Sequence, residues 1–129
     1  MARRRILPAD GNAAVRAVAA GSTDRTERTT AVRYSLEELA FRAPGNSVEV
    51  RVPPLGVTQC VEGPRHTRGT PPNVIETDAD TWLALVLGTL TWAEALTSGA
   101  VAASGQRADL SALLPLFPQE PPRPATGPA

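Results

Sequence analysis

The strongest constraint on the fold is a change of hydrophobic period near residue 45. From Thr30, the segment TAVRYSLEELAFRAPG sets Val32, Leu36, Leu39, Ala40 and Ala43 at intervals of four, three, one and three, which is one face of a helix. Pro44 and Gly45 end that helix. Directly afterwards SVEVRVPP alternates Val48, Val50 and Val52 with Glu49 and Arg51, the period of a strand buried on one face only. The chain therefore carries both an amphipathic helix and a half-buried strand, and each needs an apolar partner layer.

Downstream, GVTQCVEG follows the short connection PPLG, which predicts an antiparallel hairpin. PRHTRGTPP reads as a loop or a distorted edge, and NVIET as a short strand behind it. Thr77 or Asp78 can cap a helix holding Trp82, Leu83, Leu85 and Val86, with Gly88 as its stop. Thr91 and Glu94 have the spacing of a capping box for WAEALTS, closed by Gly99. AVAAS is compatible with a buried strand, and Gly105 turns the chain into a last short helix, RADLSALL, stopped by Pro115. Upstream, a short helix is expected over 11–20, with Asp10 as N-cap and Gly21 as stop, followed by STDRTERTT as a polar linker. PQEPPRPATGPA is proline-rich and reads as an unstructured tail; its PPRP also has the form of a ligand for an aromatic groove.

At 129 residues the chain suits one small domain with tails. Its 13 basic residues are all arginine and balance 13 acids, so no excess charge points to nucleic acid. Asp10, Asn12 and Arg16 interrupt the apolar run that a signal peptide would need after Arg3, Arg4 and Arg5. Three arginines in MARRRI also fall short of the clusters that hold acidic lipid surfaces. The longest apolar run, over 82–92, is about half a membrane span, so no stable membrane insertion is expected. A lone cysteine, Cys60, cannot form an internal disulfide, in keeping with a soluble, cytoplasmic protein.

Catalytic chemistry finds little to work with. Cys60 and His66 are the single thiol and the single imidazole, and no orienting group is visible beside them. Cys60, in an expected strand, fits a buried structural thiol better than a reactive one. Asp78 and Asp80 fit a helix N-terminus, the alternative being an acid–base pair without a visible partner. No metal-ligand spacing and no phosphate loop occurs, so the expectation is a non-enzyme without a cofactor.

The series DADTWLALVLG, TLTWAEALTSG, AVAASG and RADLSALLPLF, with glycines at 88, 99 and 105, resembles the carboxy-terminal half of sterol carrier protein type 2 domains. The helix and strands upstream match the beginning of that family. APGNSVEVRVPP and CVEGPRHTRGTPPNVIETDADTW are similar to its short actinobacterial members. The resemblance implies an α+β fold over 28–117, with a mixed, mostly antiparallel sheet of about five strands covered on one face by helices. An N-terminal arm with a short helix (1–27) would precede it and a disordered tail (118–129) would follow. Family members commonly hold a fatty acyl chain, sterol or phospholipid in an apolar tunnel between the layers, so a lipid, sterol or acyl-CoA ligand is implied. Burying an acyl tail is favourable by about 0.8 kcal/mol per methylene, enough for binding without catalytic groups.

The candidate lining is Trp82, Leu85, Val86, Trp92, Leu96, Leu113, Leu116 and Phe117, although apolar residues at helical spacing are more often core, and a domain this small needs its core. Arg65, His66 and Arg68 in PRHTRG are candidates for a ligand mouth facing an acidic headgroup, or for a solvated loop. PRHTRGTPP stands where the family's long third strand is expected. Two functions are carried forward: a noncatalytic lipid-binding or carrier module, and a scaffold-only interaction or accessory domain with a filled cavity.

Overall fold

The computed structural model describes residues 4–63 and 72–119. Leu7 precedes α1 (Pro8–Ala19), which starts on a proline whose fixed φ and missing N–H suit a first helical position. Asp10, expected to be the cap, lies instead inside the first turn, where a carboxylate still complements the helix dipole. The expected linker is also shorter than predicted. Asp24 caps α2 (Arg25–Arg42) by accepting the Glu27 N–H at 2.9 Å, and Ser22 Oγ donates to the Glu27 carboxylate at 2.6 Å. Residues 25–29 are thus helical although their side chains carry no apolar period.

The polypeptide then forms β1 (Val48–Val52) and β2 (Gly56–Cys60), an antiparallel hairpin turned by the Leu55 N–H donating to the Val52 carbonyl. β3 (Asn73–Thr77) pairs parallel with β1. α3 (Ala79–Leu87) is capped by Asp78 and ended by Gly88 in the left-handed region. α4 (Trp92–Ser98) carries the expected Thr91–Glu94 capping box, whose hydrogen bonds from Thr91 hold the Glu94 carboxyl below its ordinary value. β4 (Val101–Ser104) returns antiparallel to β3.

The described residues therefore give a four-stranded sheet in the order β2-β1-β3-β4, one strand fewer than expected, with a parallel pair at its centre and antiparallel pairs on either side. The predicted last helix is absent as well. Residues 110–114 form a turn in which the Leu110 carbonyl accepts from the N–H groups of Leu113 and Leu114, while the Asp109 carboxylate takes the Ser111 N–H at 2.8 Å. Local side-chain bonds of this kind compete with helix formation. Leu110 remains fully buried as an anchor.

Val48, Val50, Val52, Ile75 and Val101 point into the core, whereas Glu49, Arg51 and Glu76 lie on the opposite face. The helices fill the inner side. At its centre the fully buried Trp82 donates its indole N–H to Ser35 Oγ at 2.8 Å, and Ser35 Oγ donates to the Val32 carbonyl at 2.8 Å. α1 adds Ala14, Val15 and Val18 to the same core. It approaches α2 so closely at Gly11 that a Cβ there would lie 2.2 Å from the Tyr34 ring. The arm before α1 is tied to α2: Arg4 pairs with Glu38 at 2.5 Å and lies over the Phe41 ring at 4.5 Å. Burial alone would raise the Glu38 carboxyl, but hydrogen bonds and charge from Arg4 and Arg42 bring it below its ordinary value.

Candidate functional site

α2 presents a second stripe beside its apolar one. Thr30, Arg33 and Glu37 recur at intervals of three and four and so share a helix face. This stripe meets the β1–β2 hairpin at Gly56, where a Cβ would stand 3.0 Å from Leu36 Cδ1, so the missing side chain sets how near helix and strand come. Arg33 Nε donates to the Leu55 carbonyl at 2.8 Å. Across the helix, Glu37 Oε1 accepts the backbone N–H groups of Arg5 and Ile6 at 3.1 and 3.2 Å, which fixes the arm as a third wall.

These walls enclose a partly open groove of about 740 Å³ along the seam between α2 and the β2 edge. Ile6, Leu36, Leu55 and Val57 are its apolar members, Thr30 and Thr58 offer hydroxyls, and Arg5, Arg33 and Glu37 bring charge. Val57 is 59% exposed, a large value for an aliphatic strand residue. A second, shallower hollow of about 450 Å³ lies on the outer face of the sheet among Glu49, Arg51, Pro53, Pro54, Gly56, Val57 and Glu76. Its charges are partly engaged already, since Arg51 pairs with Glu49 at 2.6 Å.

The residues expected to line a tunnel sit elsewhere. Trp82, Leu85, Val86, Trp92 and Leu116 belong to the contiguous core, and Leu113 and Phe117 pack against it. Phe117 stacks on Tyr34 with ring centroids 5.9 Å apart, and its N–H donates to the Val86 carbonyl. Leu96 is 42% exposed on α4. None of these eight residues lines either hollow. Arg65, His66 and Arg68 lie outside the described residues.

The groups considered for catalysis are occupied. Cys60 is fully buried, and desolvation pushes its thiol up to about 12, the property of an inert thiol rather than a nucleophile. Asp78 accepts the Thr81 N–H at 2.7 Å, and Asp80 pairs with Arg28. Among the described residues no group of three or more histidines, cysteines and acids is placed to hold a metal ion, and no helix is long and apolar enough to cross a membrane.

Compared with protein families, residues 24–116 match the model described as bacterial SCP ortholog. The chain belongs to the bacterial sterol carrier protein family. The matched segment starts on Asp24, the α2 cap, and ends on Leu116, so it contains β1 to β4 together with α2, α3 and α4. In this carrier-family chain the arm and α1 lie outside the match, although the arm supplies Arg5 and Ile6 to the groove. A comparison with curated proteins gives no match.

Sequence reasoning missed the groove because its walls come from three separate segments. One signal was present: a polar stripe at Thr30, Arg33 and Glu37 beside an apolar one, followed by a hairpin with a glycine after its turn.

Proposed function

We propose that this protein is a noncatalytic binding module of the carrier type, which holds an apolar or amphiphilic molecule in the seam groove. The observation that carries this reading is the groove itself. At about 740 Å³ it falls within the roughly 300–1,000 Å³ common for small-molecule sites, and its lining combines four apolar side chains with two hydroxyls and three charged groups. Family membership supports the same class of function. In this reading seven of the eight expected lining residues, all but the exposed Leu96, form the packed body behind the groove, while Leu36 is shared by both.

Titration of isotopically labelled protein with dodecanol, followed by backbone amide NMR, tests the proposal. Saturable shifts are expected at residues 30–37 and 55–58. Absence of saturable binding for dodecanol, fatty acids, acyl-CoA and sterols alike refutes it.

A second reading, a scaffold that binds a protein partner and no lipid, draws on the indole of Trp82, which occupies the centre of the core with its N–H satisfied by Ser35. Under that reading no lipid probe binds, and a partner is recovered instead on the exposed sheet face around Val57.

A further inference from the structure

Charge is distributed unevenly among the arginines of the described residues. Arg4, Arg28, Arg42 and Arg51 each pair with a carboxylate. Arg5 and Arg33 have no such pair among the described residues, and both line the seam groove. Arg33 is nevertheless oriented, because its Nε–H is engaged by the Leu55 carbonyl. A guanidinium held through Nε keeps its Nη donors for another acceptor, in the planar fork that suits a carboxylate or phosphate. The acid in the lining, Glu37, spends Oε1 on two backbone N–H groups of the arm. Two guanidiniums against one carboxylate leave the lining with a formal charge of +1. Beside this charge lie Ile6, Leu36, Leu55 and Val57. A purely apolar ligand would leave the guanidiniums of the lining unmatched, and a free inorganic anion would leave its apolar side chains wet.

We propose that the groove selects single-chain anionic amphiphiles, with Arg33 reading the anionic head and Arg5, carried in by the arm, adding a second charge. This rests on the reading of the groove as a ligand site and narrows it to a ligand class. Because Arg5 lies outside the family-matched segment, half of the head recognition would belong to this chain's own arm.

Binding of dodecanoate, dodecanol and inorganic phosphate to the full chain at pH 7.5, by calorimetry and amide NMR, tests the assignment. Dodecanoate should bind about tenfold more tightly than dodecanol, as one charge-assisted hydrogen-bonded contact at a partly exposed site provides. Arg33→Met should abolish that difference, the loss falling on dodecanoate rather than on dodecanol, and Arg33→Lys should restore part of it. Arg5→Met, a side chain without a bonded partner among the described residues, should reduce it about threefold and serves where Arg33→Met disturbs folding. Equal affinities for the acid and the alcohol, or a preference that survives both Met variants, would overturn the assignment while dodecanol binding kept the carrier reading. Phosphate displacing dodecanoate at equal concentration would overturn it in favour of a free-anion site. Failure of both amphiphiles to bind would remove the carrier reading as well.

Discussion

Replacing Ser35 with alanine isolates the polar contact on which the helical layer closes. Ser35 Oγ is the acceptor for the Trp82 indole N–H at 2.8 Å, and both residues are fully buried. Alanine leaves that N–H without a partner, and an unsatisfied buried donor costs about 1–3 kcal/mol. The Val32 carbonyl loses only the hydroxyl's additional bond, since it lies within α2 where a backbone acceptor role is already filled. Alanine's better helix propensity returns a few tenths of a kcal/mol. The net expectation is a loss of about 1–2.5 kcal/mol, a sizeable share of the roughly 5–15 kcal/mol of a typical domain. Urea denaturation followed by far-UV circular dichroism measures it, a signal that depends on neither tryptophan. In a Trp82→Phe background the donor is gone, so Ser35→Ala should cost less than about 0.5 kcal/mol, leaving a coupling of about 1 kcal/mol or more. Equal penalties in the two backgrounds would refute the reasoning.

Two further perturbations follow from the geometry. Gly11→Ala places a Cβ 2.2 Å from the Tyr34 ring, so α1 must shift; overpacking of this kind should cost about 1–3 kcal/mol in thermal or urea unfolding, and a neutral effect would mean that α1 does not sit where it is described. Burial raises the Cys60 thiol from its ordinary 9.0 to about 12, so below pH 9 both folded and unfolded states hold the proton and the group is neutral to stability. As pH rises from about 9 to 12 the unfolded state releases that proton first, and this group should lower stability by up to about 1.4 kcal/mol per pH unit. The slope should vanish in Cys60→Ala, and persistence of the same slope in that variant would assign it to other groups.

Much of the fold was legible where one residue type has one job. Val48, Val50 and Val52 alternate because one side of β1 faces the helices, and the capping residues Asp78, Thr91 and Glu94 mark helix starts by bonding locally. The start of α2 was hidden because residues 25–29 show no apolar face, although Asp24 and Glu27 have the spacing of a cap. The false helix over 107–114 had a helical pattern of leucines, but Asp109 and Ser111 satisfy backbone groups in a turn and Leu110 alone is fully buried. The candidate site was harder to read. Hydrophobicity identified Trp82 and its neighbours without showing whether they surround a space or fill one, because that depends on a hydroxyl 47 residues away at Ser35. The groove depends on a missing Cβ at Gly56 and on an arm held by Glu37, contacts between segments that no local pattern records.

α2 joins the two halves of the functional reading. Its core-facing side carries the buried Val32, Ser35, Leu36 and Leu39, of which Ser35 bonds the Trp82 indole, while the adjacent stripe of Thr30, Arg33 and Glu37 forms the groove wall. Leu36 belongs to both. A ligand entering deeply between the layers would have to displace a fully buried indole and break its hydrogen bond to Ser35, at a cost comparable to the Ser35→Ala penalty before any compensating contact forms. A ligand lying along the seam displaces no core residue. Under the proposed carrier reading, occupying the groove therefore disturbs less of this structure than opening the layers, and its lining carries Arg33 and the arm's Arg5.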